Sequence, residues 1–199
     1  MGNCEKKIIW PPSTQLAPVP AVLVGCGDGE KFKFNLITVA WCGIVCSKPP
    51  MLSISLRPER YSYEIIRALG EFTVNIPRAQ DAALVDYCGV VSGREHDKFA
   101  ECRLTPQLGS LVKAPLIGEF PVALECRTSQ ILELGVHHMF VAEIMAVQVS
   151  ESAIDANGTL QLDQNGLLGY GHGHYYEVKK RLGHFGFSVR KKTGAKIRR

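Results

Sequence analysis

Two long strand-like runs, residues 122–134 and 138–149, are separated only by a short turn near Gly135. Strands joined by so short a link run antiparallel, because a parallel return needs a crossover of a dozen or more residues. The other strand-like runs, at 21–24, 32–41, 51–56 and 71–76, also mostly follow one another without a long helix between them. About six or seven strands with two or three short helices predict a mainly β antiparallel barrel or sandwich, not a doubly wound α/β sheet. Closing such a sheet into a barrel also hides edges that would otherwise invite aggregation.

Local signals place the remaining elements. The leader to about Pro20 is proline-rich and reads as extended. Gly25-Cys26-Gly27-Asp28-Gly29 reads as the turn of a hairpin. A dinucleotide-binding glycine loop must open a helix, whereas here Lys31-Phe32-Lys33-Phe34 alternates like a strand. Residues 51–56 alternate too, with Leu52, Ile54 and Leu56 on one face and Met51, Ser53 and Ser55 on the other. Apolar positions 61, 65, 66 and 69 make a helical stripe, and Gly70 is its C-cap. A second helix is expected over 79–88 with Gly89 as its stop, a polar loop over 92–98, a loop over 151–165, and a short helix over 175–182.

The 199 residues fit one domain with a core of its own, and 46% hydrophobic with 21% charged residues excludes a disordered, collagen-like or long coiled-coil chain. No run approaches the ~20 apolar residues of a bilayer helix, and Met1 to Lys7 does not read as a secretory signal. The net charge of +4 conceals an asymmetry. Nine Lys/Arg and no acid lie from Lys179 to Arg199, leaving residues 1–178 with 14 basic against 19 acidic groups, a net −5. The basic end reads either as a solvated terminus or as a nucleic-acid or membrane-surface contact, and no aromatic interleaves with it to make a stacking platform. The domain is therefore taken as residues 1–190, with a basic tail at 191–199; neither nucleic acid nor membrane is expected as a partner. Seven cysteines, odd in number and without C-x-x-C spacing, read as reduced core thiols and point to the cytoplasm.

The stretch from Ser53 to Tyr63 carries the strongest chemical signal. A strand ends, Pro58 turns the chain and a helix begins, with Arg57, Arg60 and several serines at the junction. A helix start suits an anion, and arginine matches phosphate with planar paired donors. The alternative is that Arg57 and Arg60 pair with Glu59 or Glu64. Arg94, His96 and Lys98 in the following loop could complete an anion site or could be paired within that loop. Asn35, Thr38 and Ala40 leave room beside Trp41 for a flat ring, or belong to an ordinary strand. His172, His174 and the adjacent His137-His138 give only weak metal-ligand spacing, so no metal is expected.

These residues also form a family pattern. Asn35-x-x-Thr38-Val39-Ala40-Trp41-x-Gly43-x-Val45-Cys46-Ser47-x-Pro49-Pro50, followed by Ser53-Ile54-Ser55-Leu56-Arg57-Pro58-x-Arg60-Tyr61-Ser62, resembles the flavin reductase-like FMN-binding split-barrel family, most closely its flavoredoxin branch. Glu71-Phe72-x-Val74-Asn75-Ile76-Pro77, Asp86-Tyr87-Cys88-Gly89-x-x-Ser92-Gly93-Arg94-x-x-Asp97-Lys98-Phe99 and Gly135-x-His137 extend the resemblance across residues 8–190. It implies a Greek-key split barrel, a homodimer and bound FMN. By that resemblance Ser53, Ser55, Leu56, Arg57, Arg60, Tyr61 and Ser62 hold the phosphate and ribityl chain, and Arg94 and Lys98 close over the phosphate. Thr38, Val39, Ala40 and Trp41, with Asn35 on the same strand, line the ring; Asn75 lies close by. His137 stands beside the flavin or nicotinamide, although His138 adjoins it and could take its place. The implied activity is NAD(P)H-dependent flavin reduction, with hydride passing from nicotinamide to flavin and no certain catalytic side chain. The alternative is an electron carrier of flavoredoxin type with tightly held FMN and protein redox partners.

Overall fold

A computed structural model describes residues 4–162 and 166–189. The chain forms β1 (Val19–Pro20), β2 (Val22–Cys26), β3 (Asn35–Val39), β4 (Cys42–Ser47) and β5 (Pro50–Leu56), then α1 (Tyr61–Leu69) and β6 (Glu71–Ile76). A 3-10 turn (Ala79–Asp81) leads into α2 (Ala82–Val90), followed by α3 (Lys98–Glu101), β7 (Pro106–Gln107) and β8 (Leu116–Ile117). The long hairpin β9 (Val122–Glu133) and β10 (His138–Val149) precedes a second hairpin, β11 (Leu167–Gly171) and β12 (His174–Val178).

Seven strands pair antiparallel in the order β3-β2-β6-β9-β10-β5-β4. The two edge strands are consecutive in sequence, with only Ala40 and Trp41 between them. Three Cα steps reach at most about 11 Å, whereas the edges of a flat seven-stranded sheet lie roughly 29 Å apart. The sheet must therefore curl until its first and last strands meet. A hydrogen bond from Ser55 N–H to the Trp41 carbonyl, 2.8 Å, carries the β4–β5 pairing into the link and holds it against β5. Of the barrel and the sandwich that the strand pattern allows, this is the barrel, mainly β and split as the family resemblance implies.

The curled sheet encloses Val24, Ile37, Leu52, Ile54, Phe72 and Phe140, and α1 adds Tyr63, Ile65 and Ile66. Gly70 closes α1 in the left-handed conformation, φ 71°, with its N–H on the Ile66 carbonyl. A second apolar cluster, including Leu23, Leu36, Val85, Cys88 and Phe99, lies where α2 and α3 cover the sheet's outer face. Strand β2 is consequently buried along its whole length.

Several expectations are corrected. The strand expected over 32–41 is ordered as β3 only over Asn35–Val39, with Ala40 and Trp41 forming the link to β4; the Asp28 carboxylate accepts the Glu30 and Phe32 N–H groups and holds the turn before it. Gly89 does not stop α2, which continues to Val90. Its hydrogen lets the helix rest on β3, since a Cβ there would stand 3.1 Å from Cβ of Thr38. Residues 175–182 are not helical: His174–Val178 is a strand paired with β11. His172 and Gly173, both at positive φ (52° and 81°), make the two-residue turn that matches the twist of a hairpin. The loop expected over 151–165 contains a 3-10 turn and a bridge between Ile154 and Leu160. Lys98 belongs to α3, not to the loop before it. The basic tail falls outside the described residues. No helix among the described residues is long and apolar enough to cross a membrane.

Candidate functional site

The seam of the barrel opens into a cleft of about 400 Å³. One wall is the end of β3 and the link at Thr38, Val39, Ala40 and Trp41; another is Ser55, Leu56 and Arg57 at the end of β5. Asp86, Gly89 and Val90 come from α2, His137 from the β9–β10 turn, and Tyr170, Gly173 and Tyr175 from the β11–β12 hairpin. Arg60, Ile37 and Gly89 also line a smaller recess, about 180 Å³, between the start of α1 and the loop at Val91, Ser92 and Gly93. The two share these three residues as walls and lie side by side, and are together called the trough, the recess its narrow end and the cleft its wide end.

The narrow end is built to receive negative charge. Pro58 turns the chain out of β5, and the Arg60 N–H bonds the Arg57 carbonyl at 3.0 Å. Arg60 is the N-cap of α1 and supplies no side-chain cap; the Tyr63 N–H bonds the Arg60 carbonyl, and the positive end of the helix lies at the recess without a side-chain cap. Ser62 is buried, and its oxygen accepts the Asn35 amide at 2.9 Å. That bond leaves the Ser62 hydroxyl proton to donate. Gly93 passes directly over Asn35: a Cβ there would sit 2.1 Å from the amide oxygen.

Lys98 lines the same recess from below. Its ammonium is buried and donates to the carbonyls of Leu36 and Cys88, both at 2.7 Å. Burial holds its pKa below the usual lysine range, with nearby Cys88 and Cys26 offsetting part of the shift. Two of its three donors are used by those carbonyls, and the third remains for the recess. Lys98 is thus a fixed cation in the floor, not a mobile one that folds over.

Arg57 and Arg94 behave differently from expectation. Arg57 pairs with Glu59 at 2.6 Å, and Arg94 pairs with Glu64 at 3.0 Å while lying 5.0 Å over the Tyr61 ring. The carboxylates at 59 and 64 do capture arginines, but the captured ones are 57 and 94. Arg60 makes no ion pair with a carboxylate among the described residues. Tyr61 lines the recess beneath Arg94.

Three expected contributors lie behind or away from the walls. Asn35 stands behind Ser62 and positions it. Ser53 is mid-strand, paired with Gly43 and Val141, one pleat before Ser55, and does not line the cleft. Asn75 is fully buried; it donates to the Leu23 carbonyl and to Thr73, and accepts the Ile117 N–H. A buried amide with these bonds joins β2, β6 and β8, and leaves no group for the cleft.

At the wide end, His137 lines the cleft. His138 does not take its place, because its Nδ1 is bonded to the Tyr63 hydroxyl at 2.8 Å. The Thr38 hydroxyl donates to the Val85 carbonyl and ties β3 to α2. Tyr175 donates to Asp86 at 3.2 Å and packs edge-on against Tyr170, centroids 5.4 Å apart. Burial, with the Asp86 carboxylate beside it, pushes the Tyr175 phenol up to about 12. Asp86, Tyr170 and Tyr175 were missing from the sequence-based site. The Gly-His-Gly turn was the one available signal that a hairpin, not a helix, occupies this region.

The donor set of the trough fits a phosphate monoester bearing a flat ring. Cation, hydroxyl and amide donors gather at one end, and strand backbone with aromatic walls lines the other. The architecture is that of a split-barrel flavin-binding oxidoreductase. Residues 15–179 match the flavin reductase like domain, and the chain belongs to that family. It superposes on the flavoredoxin of Desulfovibrio vulgaris (Miyazaki F) with a TM-score of 0.85 and 35% identity, over 93% of this chain and 100% of the other. Flavoredoxin from Methanosarcina acetivorans gives 0.83 and 30%, over 94% and 100%. Two sequence relatives, from Archaeoglobus fulgidus and Aeropyrum pernix, are 33% and 36% identical over 58% and 54% of this chain; the matches span 65% and 41% of their own lengths.

Proposed function

We propose that the trough binds FMN and that the protein is an NAD(P)H-dependent flavin reductase-type oxidoreductase. The observation that carries this reading is that Arg60 lines both the anion recess and the flat-walled cleft beside it. Arg60, Ser62, Lys98 and the first N–H groups of α1 would hold the phosphate. Thr38 to Trp41, Ser55 and Leu56 would flank the ring, with His137 at its edge. Bound there, FMN supplies the two-electron chemistry.

The chain's own residues bind and orient. Asn35 anchors the Ser62 oxygen, and Lys98 keeps a positive charge fixed at the recess floor. The Tyr175–Asp86 pair and Tyr170 wall the wide end. No acid–base group is needed for hydride transfer, so the site works by placement and electrostatics.

A second reading, an electron carrier with tightly bound FMN and protein partners, is favoured by the likeness to the flavoredoxins. Anaerobic mixing with NADH and with NADPH separates the two. Rapid bleaching supports the reductase. Bleaching only by a protein donor supports the carrier. Acid release of the pigment should give FMN, and FAD as the sole flavin would refute the phosphate assignment.

A homodimer belongs to the same proposal. Ile44 and Val45 on β4 are 68% and 51% exposed beside the half-open Trp41, an apolar strip next to the cleft that a second copy would cover. Sedimentation of the flavin-loaded protein as a monomer would refute it. All seven cysteines are free, which supports a reducing, cytoplasmic setting.

A further inference from the structure

One side-chain cluster has no part in the reading above. Cys88 is buried in α2, and Cys102 is the half-buried C-cap of α3. Their sulfurs are 3.9 Å apart, in direct contact. We propose that Cys88 and Cys102 are a reversible oxidation site, converted by a hydroperoxide into a disulfide that ties α2 to α3 below the anion recess.

The geometry favours this pair. A disulfide brings its sulfurs to about 2 Å, so the gap to close is small. The element that must move is α3, one turn of four residues at the end of a loop. Among the described residues no other two cysteines make a sulfur–sulfur contact. The ring closed by the bond runs from 88 to 102 and contains Ser92, Gly93 and Lys98, which line the recess. The Cys88 carbonyl is itself one of the two anchors of the Lys98 ammonium. Oxidation at this pair therefore acts on the residue that fixes the recess cation.

The chemistry balances with hydrogen peroxide as oxidant. The more accessible Cys102 attacks one peroxide oxygen; the O–O bond breaks, Cys102 becomes a sulfenic acid, and the second oxygen leaves as water. Cys88 sulfur then displaces the hydroxyl from Cys102 sulfur; the S–S bond forms and a second water leaves. Two thiols lose two protons and two electrons, and the peroxide becomes two waters. A dithiol reverses the step by exchange.

The surroundings make the pair slow. Burial pushes Cys88 up to about 12 and raises Cys102 as well, with Glu101 adding to the Cys102 shift and Lys98 opposing both. Little thiolate is present at neutral pH, so the site responds to sustained oxidant and not to trace levels. This inference does not depend on which flavin the trough holds.

The test uses the full chain in its purified, flavin-equilibrated form. The protein is exposed to hydrogen peroxide, alkylated, digested without reduction and analysed by mass spectrometry. The expected result is a peptide pair joined through Cys88 and Cys102, lighter by two hydrogens, which separates on treatment with dithiothreitol. Cys102→Ser should abolish that pair. Should this variant fail to fold, time-resolved alkylation of the unmodified chain replaces it, and Cys88 and Cys102 should lose reactivity together. Persistence of both free thiols under peroxide, a link through other cysteines, or over-oxidation of Cys102 without a link would overturn the proposal.

Discussion

The Asn35 amide donates to the Ser62 oxygen at 2.9 Å, joining β3 to the first turn of α1 across 27 residues of sequence. Both side chains are buried. The bond occupies an acceptor site of the Ser62 hydroxyl and leaves its proton to donate, to the buried Cys26 sulfur beside it or to a ligand in the recess that Ser62 lines. A hydrogen bond to a charged group contributes about 1.5–3 kcal/mol. Ser62→Ala should therefore weaken FMN binding by roughly tenfold or more. Asn35→Ala should weaken binding too, and should also cost about 1–3 kcal/mol of stability through the buried polar groups it leaves unpaired. Flavin-fluorescence titration and urea denaturation measure the two effects separately. Unchanged affinity in Ser62→Ala would move the phosphate elsewhere.

Arg60 and Arg57 should separate in a binding experiment although they lie in one turn. Arg60 lines both ends of the trough, while Arg57 is held by Glu59. Arg60→Ala should raise the FMN dissociation constant by more than about tenfold, the loss of one charge-assisted contact. Arg57→Ala should have the smaller effect, because the cation it removes is already engaged by Glu59 on the surface. Calorimetric titration of the two variants decides the order, and a reversal would place the phosphate nearer Arg57.

Much of this was legible in the sequence because it depends on local patterns. The alternation at Leu52, Ile54 and Leu56, the stripe at Ile65, Ile66 and Leu69 and the left-handed Gly70 all follow from spacing alone. The strand pattern leaves barrel and sandwich open, and the seam at Ala40 and Trp41 that decides for the barrel needs the strand order, which no local pattern carries. Gly89 and Gly93 show the same boundary. Glycine reads as a stop or a loop in one dimension, whereas here each permits a close approach, to Thr38 and to Asn35. Lys98 and Arg94 lie four residues apart in what reads as one polar loop. Burial against the Leu36 carbonyl makes the first a floor cation, and Glu64 on α1 draws the second to the surface. The short helix expected over 175–182 gives way to the second strand of a hairpin, whose turn requires a non-glycine residue, His172, at positive φ.

Gly93→Ala tests the close approach. The new methyl would collide with a buried amide, not with a flexible side-chain end, at 2.1 Å from Oδ1 and 2.5 Å from Cγ of Asn35. Asn35 must shift, and Ser62 loses its partner. The variant should lose about 1–3 kcal/mol, the usual cost of overpacking, and should copy the affinity loss of Asn35→Ala. Combining the two changes should give less than the sum of their separate effects, because each acts through the same hydrogen bond. Full additivity in the double-mutant cycle would show that Gly93 acts by another route.

Glu125 should make the fold sensitive to acid far from the trough. Its carboxylate is fully buried on β9. It accepts the N–H groups of Ser110, Leu111 and Val112, the Ser110 hydroxyl and the Gln148 amide. Burial alone would raise its pKa, but the bonds from Gln148, Ser110 and Leu111 outweigh burial and hold it at about 2, against 4.5 for the free group. A folded value below the unfolded one means that the unfolded chain takes up the proton first. The stabilisation is therefore complete above pH 4.5 and is lost as the pH falls toward 2. Its size is on the order of 3 kcal/mol. Denaturation midpoints of the native chain should fall steeply across that window. Glu125→Gln, which keeps one acceptor oxygen but has no charge to titrate, should be less stable at pH 7 and show a flatter decline in acid. Equal slopes for the two proteins would mean that the acid sensitivity lies in other carboxylates.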